Sequence, residues 1–195
     1  MREVVVLTFV SLDGVMQAPG GKGEDPSGNF DLEGWTVPYF DEVVGNEMTK
    51  QMGQPFDLLL GRKTYEIFAS YWPHHDSPIN EAKKYVVSNS AVDTDWEETI
   101  QIEGDVVAEI ENLKHQDGPM LQVHGSSNLV QTLLANDLAE ELWLKVFPVT
   151  VGKGKRLFGE GTIPAAFELT HSQVSPSGVI VASYRRDGEV ELGSF

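Results

Sequence analysis

The hydrophobic pattern alternates between two periods along the chain. Residues 3–10 form a dense β-branched and aromatic run bounded by Ser11-Leu12-Asp13-Gly14, too short for a helix, and predict a buried first strand. From 14 to 36 the pattern dissolves into Pro19, Gly20, Gly21, Gly23, Pro26, Gly28 and Gly34, a long loop of the kind that serves as a flap over a site. Residues 38–52 return to helical spacing through Phe40, Val43/Val44, Met48 and Met52, with Pro38 at the start and Gly53 beyond the end. A short apolar run at 56–60 then meets Gly61, and residues 62–70 look helical up to Tyr71-Trp72-Pro73.

A third strand is predicted at 85–88 and another short one within 93–102. Asp105 suits the N-cap of a helix that places Val106/Val107, Ile110 and Leu113 on one face and ends at Asp117-Gly118-Pro119. The clearest unit follows: a strand at 120–123, a turn His124-Gly125-Ser126-Ser127, and a helix whose Leu129/Val130 and Leu133/Leu134 share a face. Strands at 141–146, 167–174 and 179–185 complete the chain, the last two joined by Ser175-Pro176-Ser177-Gly178 as a hairpin. Alternating strands and helices followed by a strand-rich tail predict an α/β fold in a single domain, 1–195. Its mixed, mostly parallel central sheet would end in an antiparallel hairpin and carry helices on both faces.

Composition narrows the chemistry. The sequence has no cysteine, which excludes disulfides, a thiolate metal site and a cysteine nucleophile. Thirty acidic against 14 basic residues give a formal charge of −16, which opposes approach to nucleic acid or an anionic membrane. With no secretory pattern and no apolar stretch of spanning length, the expectation is a cytoplasmic protein with neither kind of partner. His74-His75-Asp76, between Pro73 and Pro78, lacks the spacing of a metal site, and no metal is expected.

In so acidic a chain the placement of cations is informative. Gly61-Arg62-Lys63-Thr64 puts two of them in the first turn of a helix, where the helix dipole disfavours positive charge unless an anion is bound. Lys153, Lys155 and Arg156 form a second basic turn with Gly152 and Gly154. Gly125, Ser126, Ser127 and Asn128 open a second strand-to-helix turn, suited to a phosphate and equally to ordinary N-capping. Arg62 and Lys63 are equally compatible with solvated surface cations. The G-x-G-x-x-G, G-x-x-x-x-G-K-[ST] and G-x-S-x-G motifs are all absent from their expected places.

Several of these segments together resemble the dihydrofolate-reductase-like superfamily, and within it stand-alone relatives of the reductase domain of the bifunctional deaminase-reductase of riboflavin synthesis. They are Ser11-Leu12-Asp13-Gly14, Leu60 through Glu66, Val86-Val87-Ser88, Val123-His124-Gly125, and Leu138 to Leu142 leading through Pro148-Val149 to Gly152-Lys153-Gly154 and Leu157-Phe158. The resemblance implies a three-layer fold and an NADPH site. Gly61, Arg62, Lys63 and Thr64 would meet the adenosine phosphate end with Ser88, Asn89 and Ser90, and the Gly125 turn would take the pyrophosphate. It further implies a homodimer and reduction of a flat polar heterocycle, either a ribosylaminopyrimidine or a dihydrofolate; a nucleotide-binding module without turnover is the alternative. His124 stands where the family commonly has a second glycine. Asp13 is the first choice for the carboxylate assisting proton transfer, with Asp41 and Glu42 at the start of the 38–52 helix as alternatives. Asp13 is equally explained as a turn residue. Trp35, Phe40 and Trp72 are candidates to stack on the substrate.

Overall fold

The computed structural model describes residues 1–93 and 95–194. Eight strands form one sheet: β1 (Val4–Ser11), β2 (Phe56–Gly61), β3 (Lys84–Val87), β4 (Thr99–Ile102), β5 (Met120–Val123), β6 (Glu141–Phe147), β7 (Phe167–Val174) and β8 (Ile180–Arg186), in the order β4-β3-β2-β5-β1-β6-β8-β7. The first six are parallel, while β8 runs antiparallel to both β6 and β7. Four helices flank the sheet: α1 (Glu42–Met52), α2 (Arg62–Tyr71), α3 (Val106–Lys114) and α4 (Ser127–Ala135).

The alternation of β1 explains the layering. Val4, Val6 and Val10 point with Leu121, Val123, Leu142 and Leu144 into a core roofed by Ile110 and Leu113 of α3 and by Leu129, Val130, Leu133 and Leu134 of α4. On the opposite face, Tyr65 of α2 covers Leu58, Leu60 and Val86, and Val44 of α1 covers Phe147 and Val179. Burying both faces is what a parallel sheet requires, and it accounts for the continuous apolar run Leu58-Leu59-Leu60, whose members are all fully buried.

One boundary differs from the sequence pattern. The 38–52 helix begins only at Glu42; Val37–Tyr39 is a separate short 3-10 turn and Phe40 is extended. Asp41 is the reason. Its carboxylate accepts from the Val44 N–H at 3.1 Å as N-cap and from the Ser177 N–H at 3.1 Å, fixing α1 to the final hairpin.

The 14–36 segment lies over the large cleft of the molecule, which its residues 16–25 help to line, and it is held by its own side chains. The Gln17 amide donates to the carbonyls of Asp25 and Ser27, both at 2.9 Å, the Trp35 indole donates to the Gln17 carbonyl at 2.8 Å, and Phe30 is buried against Val15, Ala18 and Val151. A run rich in Gly and Pro is here ordered by its few large side chains.

Candidate active site

β2 and β5 are neighbours, so the turns that follow them meet at the carboxyl edge of the sheet. The Gly61 N–H donates to the Gly125 carbonyl at 3.1 Å. A Cβ on Gly61 would overlap the Ser126 side chain and approach its nitrogen to 2.9 Å; one on Gly125, whose φ is +148°, would come within 2.5 Å of Thr64 Oγ1. Both glycines are therefore required by the packing of one turn on the other. The peptide between Gly125 and Ser126 is cis.

Neither helix that starts here has a side-chain cap: Gly61 is the N-cap of α2 and Ser126 that of α4, with no side-chain hydrogen bond at either. Their first turns border a cleft of about 940 Å³, which Lys63, Thr64, Gly125, Ser126 and Ser127 line together. Elsewhere it is bounded by Thr8 and Phe9 of β1, Phe40, Met48 and Gln51 near α1, Phe68 and Trp72 by α2, and Lys145 of β6. That volume lies at the upper end of the roughly 300–1,000 Å³ of small-molecule sites.

The predicted residues divide into those that share this cleft and those that serve the scaffold. Lys63, Thr64, Gly125, Ser126, Ser127 and Phe40 line it, as does Trp72. Arg62 lies just outside, donating to Glu66 Oε1 at 2.7 Å and to Ser90 Oγ, so the structure does bring the first turn together with the segment after β3. Ser88 is buried, its hydroxyl given to the Ser90 carbonyl at 2.6 Å, while Asn89 and Asn128 are exposed beside their turns and do not line the cleft.

Asp13, Asp41 and Trp35 do not line it either. Asp13 accepts from Ser11 Oγ at 2.6 Å and from the N–H groups of Val151 and Gly152 at 2.9 and 2.7 Å. The Ser11 hydroxyl and then these N–H groups hold its carboxyl down to about 2, so it is an anion locked to a loop. Asp41 is the helix cap described above. Trp35 packs edge-on against Phe147 at 5.5 Å between ring centres. The basic turn at 152–156 is likewise spoken for: Lys153 pairs with Asp31 at 3.0 Å, Lys155 with Asp25 at 2.6 Å, and Arg156 donates to the Asp13 carbonyl.

Residues 2–181 match the RibD C-terminal domain family. The chain belongs to that family. An uncharacterized Bacillus subtilis protein, YyaP, is 24% identical over 96% of both chains. Among solved structures, a Shewanella sp. PV-4 protein named for riboflavin biosynthesis superposes with a TM-score of 0.71 at 24% identity, covering 96% of this chain and 99% of that one. Dihydrofolate reductase from Enterococcus faecalis, complexed with NADP(H), gives 0.61 at 14% identity, covering 95% of this chain and 96% of that one. At these identities the likeness establishes the fold, which is dihydrofolate-reductase-like, and the family places the chain among reductase-type proteins.

Sequence reasoning missed the polar floor of the site. Lys145 is 3% exposed and donates to Gln51 Oε1; Gln122, fully buried, donates to the Gln51 carbonyl at 3.0 Å; His124 Nε2 lies 3.3 Å from Gln122 Oε1. A signal was there to be read. In 141–147 the alternation puts Trp143, Lys145 and Phe147 on one face, and Lys145 breaks an otherwise apolar row, as Gln122 does in 120–123.

Proposed function

We propose that this RibD-like chain is an NADPH-dependent reductase of a flat polar heterocycle, of the ribosylaminopyrimidine or dihydrofolate kind. The observation that carries the reading is the meeting of two uncapped helix N-termini, with Lys63, on a cleft whose remaining lining is aromatic and polar. First-turn N–H groups and a cation with no ion-pair partner among the described residues suit phosphate oxygens, and a cleft of this volume suits a dinucleotide. The match to the RibD family and the NADP(H) held by the structurally similar Enterococcus dihydrofolate reductase point the same way.

On this reading Thr64, Ser126 and Ser127 hold the pyrophosphate at the paired turns, and Lys63 with Arg62 and the 88–90 segment holds the 2′-phosphate end. When bound, the reduced dinucleotide supplies the hydride. Phe40 and Trp72 flank the substrate ring. Asp13 and Asp41 keep the surrounding loops in place and leave the proton to another group. A homodimer in the cytoplasm belongs to the same reading, and sedimentation of the purified chain tests the dimer.

Fluorescence titration with NADPH and NADH is the test. The double variant Arg62→Ala, Lys63→Ala is expected to weaken NADPH at least about tenfold more than NADH; equal losses for both would sink the assignment of the phosphate end. Tight NADPH binding without NADPH oxidation across a panel of dihydropterins and ribosylaminopyrimidines would favour a binding module over an enzyme.

A further inference from the structure

Lys145 is a buried cation on the wall of the cleft that the cofactor reading leaves unused. Its ammonium carries three donor hydrogens, and among the described residues it has one hydrogen-bond partner, Gln51 Oε1. Its strand neighbours Phe9 on β1 and Val181 on β8 bring no charge. On α1, Glu47 is the nearby carboxylate, but it is shared with Lys50 and with His171 Nε2 of β7 at 3.1 Å. His124 faces Lys145 from the β5 turn; burial first, and then the Lys145 charge, push its imidazole down to about 3, so it is neutral at working pH. Burial pushes the Lys145 ammonium down to about 7, with Glu47 pulling the other way.

A buried ammonium with unfilled donors is costly, and an acceptor brought by a ligand removes that cost. The remaining polar lining decides which ligand. The two carboxylates that border the cleft belong to the 14–36 segment: Glu24 accepts through Oε2 from the N–H groups of Gly20 and Gly21 at 2.6 and 3.2 Å, and Asp25 is paired with Lys155. A ring edge made of amino and N–H donors, set against Lys145, meets further donors, because Gln51 Oε1 is already given to Nζ. An edge of carbonyl oxygens meets Lys145 Nζ, with Gln51 Nε2 as a second donor.

We propose that Lys145 anchors the substrate by donating from Nζ to a ring carbonyl oxygen, and so selects oxo-substituted over amino-substituted heterocycles. This rests on the reductase reading in taking the cleft as the substrate site. The interaction is charge-assisted, so it is present while the ammonium is protonated and fades as pH rises through about 7.

The test is a fluorescence titration of the full chain, without dinucleotide, against two probes. One is 1,3-dimethylpteridine-2,4-dione, which has no ring N–H to lose; the other is 2,4-diaminopteridine. The expected result below neutral pH is a preference for the dione of about tenfold or more, the size of one charge-assisted hydrogen bond. That preference is retained by Lys145→Arg, lost in Lys145→Met, and lost in the unsubstituted chain as pH rises through about 7. Equal binding of the two probes, a preference for the diamine, no binding of either, or an undiminished dione preference in Lys145→Met would each overturn the proposal. Should Lys145→Met not fold, the pH series on the unsubstituted chain decides, a flat preference well above neutral pH counting against Lys145. NADPH titration of the same protein fails separately if the reductase reading is wrong.

Discussion

Two turns of this chain look alike in sequence and do different work. Gly61-Arg62-Lys63-Thr64 and Gly152-Lys153-Gly154-Lys155-Arg156 each combine glycine with clustered cations in a strongly acidic protein. In the second, the cations are paired with Asp31 and Asp25 or given to the Asp13 backbone, and the Asp13 carboxylate takes the N–H of Gly152; that turn is a clasp between the first loop and the chain after β6. In the first, Arg62 is shared with Glu66 on its own helix, while Lys63 lines the cleft and makes no ion pair among the described residues. A cluster of positive residues marks an anion site only where the fold has not already supplied the anions.

Substitutions at the two turns should separate these roles. The largest effect is expected from Gly61→Ala, whose methyl would run into Ser126 in a junction that has no room to yield: a loss of about 3 kcal/mol in urea denaturation, with loss of NADPH binding. Gly152→Ala meets no neighbour and bears only the strain of its φ of +83°, so a loss nearer 1 kcal/mol is expected. Similar losses at both would erase the distinction. Next, Asp13→Ala strands the Val151 and Gly152 N–H groups and should lower stability by about 2 kcal/mol in the same assay. Its NADPH affinity should stay within about threefold of the unsubstituted chain, and a larger drop would return Asp13 to the site.

A smaller effect is expected on affinity alone. Lys63→Ala should weaken NADPH about tenfold, roughly 1.4 kcal/mol, and Lys153→Ala should leave it unchanged; the opposite ranking in a fluorescence titration would exchange the roles of the two turns. The subtlest test uses acid. The folded-state value of Asp13 lies at about 2 against 3.8 for an unperturbed Asp, so the clasp contributes its stability above about 4 and loses it as pH falls toward 2. Melting temperatures across that window should fall less steeply for Asp13→Asn than for the unsubstituted chain; parallel curves would show that other carboxylates control acid unfolding.

The periodicity of the sequence was enough for the layers. Alternation in β1 and β6, helical spacing in α3 and α4, and the Ser175–Gly178 turn are local properties, and each reappears where it was expected, with α3 and α4 ending two or three residues before their predicted stop signals. The start of α1 was misplaced because Pro38 and Asp41 are both start signals, and a tertiary bond from Ser177 to Asp41 favours the second. The paired glycine turns were recognisable as strand-to-helix junctions. How closely they meet was not, because the approach of Gly61 to Ser126 and of Gly125 to Thr64 is set by side-chain packing between segments far apart in the chain.

What the sequence determined by itself is the order of elements, the charge that disfavours polyanionic partners, and the family, since these depend on neighbours along the chain. The tertiary structure alone decided which ionisable groups are available for chemistry. Asp13 and Asp41 stood out because they flank turns, and turns are where backbone N–H groups need acceptors, so both were taken by the scaffold. Lys145 stood out in no motif, and it lines the cleft because the register of β6 against β1 aligns it with Phe9 and turns it toward Gln51 of α1. Hydrogen-bond saturation is a property of the folded surroundings of a residue, and residue type and spacing do not carry it.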